Sequence, residues 1–131
     1  MKLLAFESSA KAAGTALLSD GCLLAEYMQN SGQTHSRTLM ELAKNMLSGC
    51  DLTPQDIDAV AVAAGPGSFT GVRIGAAMVK GLAFGTGKPC VGVSTLEALA
   101  ENLRVITENV PDSVVVPVMD ARRGQVYTAV F

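Results

Sequence analysis

Tryptophan is absent from this chain of 131 residues, and all aromatic residues together make up 5%. That leaves no row of rings on which nucleic-acid bases would stack. Charged residues are scarce at 17%, the net charge is −2, and the longest basic run is the pair Arg122–Arg123. An acidic balance without clustered Lys and Arg argues against autonomous nucleic-acid binding. Histidine occurs once, as His35, and the position four residues on is Leu39, so no helical pair of metal-ligating histidines exists. The three cysteines, Cys22, Cys50 and Cys90, form no C-x-x-C. This excludes a zinc knuckle and a disulfide framework, and leaves buried small hydrophobes in a reducing compartment as the expectation. Long apolar runs are missing too: the opening Met1–Phe6 already contains Lys2 and meets Glu7. It is too short for a signal-peptide core, and nothing approaches a membrane span, so a soluble cytoplasmic protein is expected.

What is present is a core. Apolar residues reach 49% and the mean hydropathy is +0.33, enough for one folded domain. Leu3–Phe6, Gly14–Ser19 and Cys22–Met28 read as three short strands, the last two joined at Asp20–Gly21, a two-residue hairpin signal. A helix follows from about His35 to Ser48, stopped by Gly49, and Thr53–Pro54 starts a short helical turn. Ala59–Ala64 lacks polar alternation and reads as a central strand covered on both faces. A second helix spans Phe69 or Thr70 to Phe84, stopped by Gly85, Gly87 and Pro89. Cys90–Val93 reads as another short buried strand, and Ser94 or Thr95 caps a third helix reaching Val105, with Glu97 at capping-box spacing from Ser94. Val114–Met119 and Val126–Phe131 are strands around a turn at Asp120–Gln125. Strands followed by alternating helices and strands predict an α/β domain with a mixed sheet. A chain that stops in a strand is expected to be cut from a longer parent.

Chemistry concentrates at Gly65-Pro66-Gly67-Ser68-Phe69-Thr70-Gly71-Val72-Arg73-Ile74-Gly75, which leaves a buried strand and enters a helix. Glycines and a helix N-terminus suit a phosphate. Neither the P-loop nor the dinucleotide-binding spacing is satisfied, however. Capping by Ser68 or Thr70 and close packing by the glycines is the main expectation, with phosphate-proximal loops (Glu7, Ser8, Ser9, Gly65, Gly67, Ser68, Thr70) as the alternative. Glu7 and Asp120 sit at strand ends, where open α/β sheets bind ligands. Ordinary turn and cap roles are commoner there than magnesium binding, and a solvated hairpin tip is the commoner role for Arg122–Arg123. No nucleophile elbow supports a Ser-His-Asp triad, so His35 is read as a polar residue at a helix start. No catalytic residue and no metal site is assigned.

Both long helices carry more apolar surface than one core needs. In the first, the apolar positions fill an arc of roughly 160° at 100° per residue. The second is apolar almost all round, with Gly71 and Gly75 offering a shallow surface to another helix. A partner-facing set is therefore expected: Leu39, Leu42, Ala43, Met46, Gly71, Ile74, Gly75, Met78 and Leu82.

The opening strand ending in Glu7-Ser8-Ser9, the Asp20–Gly21 hairpin, Gln33-Thr34-His35-Ser36, the eleven-residue glycine stretch, Gly92-Val93-Ser94-Thr95-Leu96 and Met119-Asp120-Ala121-Arg122-Arg123-Gly124-Gln125-Val126-Tyr127 occur in one order. In that order they resemble the TsaB (YeaZ) family, subunits of tRNA threonylcarbamoyladenosine biosynthesis. The resemblance covers the whole chain, although members of the family are longer. It implies an actin-like ATPase, ribonuclease H-like fold in two lobes, with residues 1–110 as the first lobe and 111–131 as the start of a truncated second. It implies a non-catalytic scaffold, historically grouped as glycoprotease-like, that activates a TsaD-type catalytic subunit alongside a TsaE-type ATPase. Threonylcarbamoyl-AMP and the metal then belong to TsaD, ATP, ADP and Mg enter only in the complex, and tRNA is met only through it. Helices 35–48 and 70–84 would join a helical bundle with TsaD, or with a second copy as a homodimer, and no membrane is involved. Glu7 stands where actin-like ATPases usually present Asp, and the paired metal histidines of TsaD are missing. Two rival readings remain: an ATP-binding actin-like enzyme using Glu7, Ser8 and Ser9 near phosphates, and a peptidase motivated by His35.

Overall fold

The computed structural model describes residues 1–131 and is built around a mixed sheet of five strands with helices on both faces. Strands β1 (Lys2–Glu7), β2 (Ala13–Ser19) and β3 (Cys22–Gln29) form an antiparallel meander. Strands β4 (Ala59–Gly65) and β5 (Cys90–Ser94) add in parallel beside β1, giving the order β3-β2-β1-β4-β5. The expected α/β class and three-strand antiparallel opening therefore hold. Asp20 and Gly21 both take positive φ, 51° and 80°, as a two-residue hairpin requires.

Alternation within the strands decides the layers. Leu4 and Phe6 of β1, Leu17 of β2, and Val60 and Val62 of β4 belong to one buried cluster with Leu39, Ala43, Met46 and Leu47 of helix α1 (His35–Gly49) and Val79 of helix α2 (Phe69–Thr86). The opposite face carries small side chains, Ala5, Ala16, Ala61 and Ala63. Helix α3 (Thr95–Glu101) packs there against β4 and β5, leaving an open groove of about 330 Å³. Burying a Leu- or Val-sized side chain is worth roughly 1.5–3 kcal/mol, so the first face carries most of the stability.

Several boundaries differ from expectation, each for a local reason. Gly49 remains helical, and the left-handed residue that ends α1 is Asp51, φ 55°. The Leu52 N–H then returns to the Leu47 carbonyl at 2.9 Å, and Leu52 packs against the core. Likewise α2 runs through Gly85 and stops at Gly87, φ 69°. Thr53 and Pro54 do open a helical turn, a 3-10 turn at Pro54–Asp56. Strand β5 is exposed rather than buried, because α3 covers only part of it and Val91 stays 52% accessible. Cys22 and Cys90, on the two edge strands, are exposed for the same reason, and only Cys50 is half-buried. The third helix breaks into α3 and a short α4 (Arg104–Thr107), because the Asn102 side-chain amide donates to the Ala98 and Leu99 carbonyls and competes with the backbone. Strands β6 (Val118–Arg122) and β7 (Gln125–Thr128) form a separate two-stranded sheet. Pro117 has no N–H to extend the ladder, yet Val115 and Phe131 still exchange two backbone hydrogen bonds beyond it. No helix is long and apolar enough to cross a membrane.

Candidate functional site

The glycine stretch lies where β4 ends and α2 begins, beside the exit of β1. Ser68 caps α2: its side chain accepts from the Gly71 N–H at 3.3 Å. The Ser68 N–H donates to the Ser9 carbonyl at 2.6 Å. The Ser8 hydroxyl, fully buried, donates to the Gly71 carbonyl at 2.9 Å. These bonds draw the exit of β1 onto the first two turns of α2, and the glycines make room for it. A Cβ on Gly71 would lie 1.9 Å from the Ser8 carbonyl oxygen, one on Gly75 2.4 Å from the Ser8 hydroxyl, and one on Gly67 2.5 Å from the Ser9 carbonyl oxygen. Capping and close packing therefore account for Gly67, Ser68, Gly71 and Gly75. Thr70 is exposed and Gly65 half-buried in the same turn.

That packing bears on phosphate binding. The Ser8 and Ser9 carbonyl oxygens face Gly71 and Gly67 across the turn. The Ser9 N–H is taken up by the Glu7 carboxylate, which itself would repel an anion. Ser9 keeps one unpartnered buried oxygen, its hydroxyl, at 2% exposure. The Ser9 and Ser68 N–H groups are thus engaged within the chain. His35 is half-buried at the same corner, with Nε2 2.9 Å from the Ala10 carbonyl. A carbonyl only accepts, so that nitrogen carries the proton, and the ring ties α1 to the β1–β2 loop. Asp120 lies on β6, in the other sheet, and does not meet Glu7. No three His, Cys, Asp or Glu residues converge into a group able to hold a metal ion.

The partner-facing set divides. Leu39, Ala43 and Met46 are enclosed in the core of the chain itself, and Gly71 and Gly75 face Ser8. These five do not present the shallow outer surface expected of them. Leu42, Ile74, Met78 and Leu82 are half-buried, and Met78 and Leu82 pack against the core cluster. The outward face of α1 is polar at Arg37, Glu41, Lys44 and Asn45. Sequence reasoning placed the open surface one face too far round α2. The exposed residues are Phe69, Thr70, Arg73, Ala77, Lys80, Gly81, Phe84 and Gly85. Phe84 is 93% and Phe69 75% accessible, and the Arg73 guanidinium lies 5.1 Å from the Phe69 ring centre. Beside the two rings runs a stripe of small residues, Ala77, Gly81 and Gly85, and a Cβ on either glycine would meet nothing within 4 Å. Gly71/Gly75 and Gly81/Gly85 both have four-residue spacing, so the periodicity alone does not distinguish the inner pair from the outer.

The family model described as "TsaD: tRNA N6-adenosine threonylcarbamoyltransferase" matches residues 24–131. The chain is also 42% identical, over all of its length and 55% of the relative's, to the tRNA threonylcarbamoyladenosine biosynthesis protein TsaB of Bacillus subtilis. The chain belongs to the TsaB/YeaZ family. The Escherichia coli TsaB is 36% identical over 98% of this chain and 54% of its own. Among solved structures, YeaZ from Pseudomonas aeruginosa superposes with a TM-score of 0.87 at 32% identity, covering 99% of this chain and 59% of the other. The five-stranded sheet with helices on both faces thus has the actin-like fold of the YeaZ structures. The chain spans about half the length of the TsaB relatives it matches.

Proposed function

We propose that the chain serves as a non-catalytic subunit in the biosynthesis of threonylcarbamoyladenosine in tRNA. In this reading it activates a TsaD-type threonylcarbamoyltransferase by binding it, works beside a TsaE-type ATPase, and self-associates as a homodimer when alone. It meets tRNA only through the assembly, and ATP, ADP and Mg belong to the assembled complex. The observation that carries the reading is the turn itself: the Ser8 and Ser9 carbonyl oxygens pack against Gly71 and Gly67, and the Ser9 and Ser68 N–H groups are bonded within the chain. Partner contact belongs on Phe69, Ala77, Gly81 and Phe84, flanked by Ile74, because the first four are apolar or small and exposed on the outer side of α2, beside Arg73 and Lys80.

The test is reconstituted transfer to a tRNA substrate. The chain alone should give no threonylcarbamoylated product, and it should raise the rate of a TsaD-type enzyme supplied with a TsaE-type ATPase and ATP. Product formed by the chain alone would refute the reading. The buried unpartnered hydroxyl of Ser9, beside the start of α2, is the one feature favouring the rival, nucleotide binding by this lobe. Micromolar heat of binding for Mg-ATP to the isolated chain would favour that rival.

A further inference from the structure

Ser9 stands between two groups that hold its backbone. Its N–H donates to the Glu7 carboxylate, and its carbonyl accepts the Ser68 N–H at 2.6 Å, just ahead of α2. Its hydroxyl is left over: at 2% exposure the residue is enclosed, and the oxygen has no hydrogen-bond partner. Burying a hydroxyl without a hydrogen bond costs free energy, so an orphan of this kind calls for an explanation. The residues that enclose Ser9 belong to this chain itself, so a partner for the hydroxyl can arrive only where one of them gives way.

The surroundings suit an oxyanion. The first turn of a helix presents N–H groups without helical acceptors and carries a partial positive charge. Helix α2 is 18 residues long and has no acidic residue of its own in that turn. The negative group next to its entry is Glu7, at the end of β1. A carboxylate reaching back two residues satisfies the Ser9 N–H and leaves the hydroxyl unmet, whereas a tetrahedral oxyanion has acceptor oxygens for both. Glu7 is half-buried and also lines the open groove on the small-residue face of the sheet, so its side chain joins that groove to Ser9. We propose that Glu7 is a built-in plug: its carboxylate occupies the position at Ser9 that a phosphate-sized oxyanion would otherwise take, and so keeps the turn closed to external phosphate groups. The plug goes beyond the subunit role proposed above and is tested on the chain alone, so its failure leaves that role untouched.

Inorganic phosphate is titrated into the parent, Glu7→Ala, Glu7→Gln and the double variant E7A/S9A, with the amide signal of residue 9 followed by NMR and the melting temperature measured alongside. The parent signal should stay in place. E7A should bind phosphate saturably, at least about tenfold more tightly than the parent, and its melting temperature should rise with phosphate concentration. E7Q should gain less, because its amide oxygen still accepts the Ser9 N–H. E7A/S9A should lose most of the gain. A folded E7A that responds to phosphate no more than the parent would overturn the proposal, and so would an E7A/S9A that keeps the whole gain. Where E7A does not fold, E7Q decides: a phosphate-dependent shift absent from the parent supports the plug, and no shift overturns it. Mg-ATP separates a phosphate site from a nucleotide site. Similar affinity of E7A for Mg-ATP and phosphate supports the plug, and saturable binding of Mg-ATP without binding of phosphate overturns it.

Discussion

Asp56 is a clear case of a residue whose chemistry stays local. It sits in the 3-10 turn opened by Thr53–Pro54, and its carboxylate accepts from the Thr53 hydroxyl at 2.7 Å and the Thr53 N–H at 2.8 Å. The Thr53 hydroxyl, followed by the Thr53 N–H, holds the carboxyl below its ordinary range, and Lys2 and Lys88 assist. A carboxyl depressed in the folded state stabilises that state above its unfolded pKa, near about 4, and the contribution fades as pH falls through the folded value. Urea midpoints measured from pH 7 down to pH 2 should therefore fall more for the parent than for Asp56→Asn, with the difference confined to the region below about pH 4. Parallel profiles would contradict the assignment. The Thr-Pro signal made this turn readable in the sequence, as Asp-Gly did for the first hairpin. The end of α1 was not readable, because Gly49 advertises a stop that Asp51 supplies, and left-handed aspartate has no signature of its own. Ser8 was equally silent: nothing in its neighbours says that its hydroxyl is bound to a carbonyl 63 residues away.

At the scale of elements, α2 has two glycine pairs with opposite duties. Gly71 and Gly75 admit the exit of β1, whereas Gly81 and Gly85 leave an open groove on the outside. Gly71→Ala forces a methyl into the Ser8 carbonyl and should destabilise the chain by on the order of 3 kcal/mol. Gly81→Ala meets nothing and improves helix propensity, so it should stabilise by roughly 0.5–1 kcal/mol. Chemical denaturation of the two variants checks both signs, and equal effects would remove the distinction between inner and outer faces. Helical periodicity located both long helices and their apolar character. It did not tell which apolar side meets the sheet, because that depends on where β1 leaves the sheet, a long-range fact. The same limit explains β5. Its apolar run promised burial, and burial depends on how far α3 reaches before Asn102 ends it.

For the whole molecule, the distribution of apolar surface carries the argument. One face of the sheet is sealed by α1 and α2 around Leu4, Leu17, Leu39 and Met46. Exposed apolar side chains lie on the outer side of α2 at Phe69 and Phe84, on the edge strands at Leu23, Leu24, Met28 and Val91, and around a cleft of about 470 Å³ lined by Leu99, Leu103, Ile106 and Val116 among others. The sequence showed that apolar area was in excess; Leu39, Ala43 and Met46 are enclosed within the chain, Gly71 and Gly75 face Ser8, and Phe69 and Phe84 are the large apolar side chains that α2 exposes. Sedimentation velocity tests the central claim most directly, run on the chain alone over a wide concentration range and then mixed with a TsaD-type transferase. The parent should form a dimer alone and a heteromeric complex in the mixture, and Ala77→Glu should abolish both while leaving the melting temperature near that of the parent. A parent that stays monomeric at every concentration and sediments independently of the transferase would contradict the account.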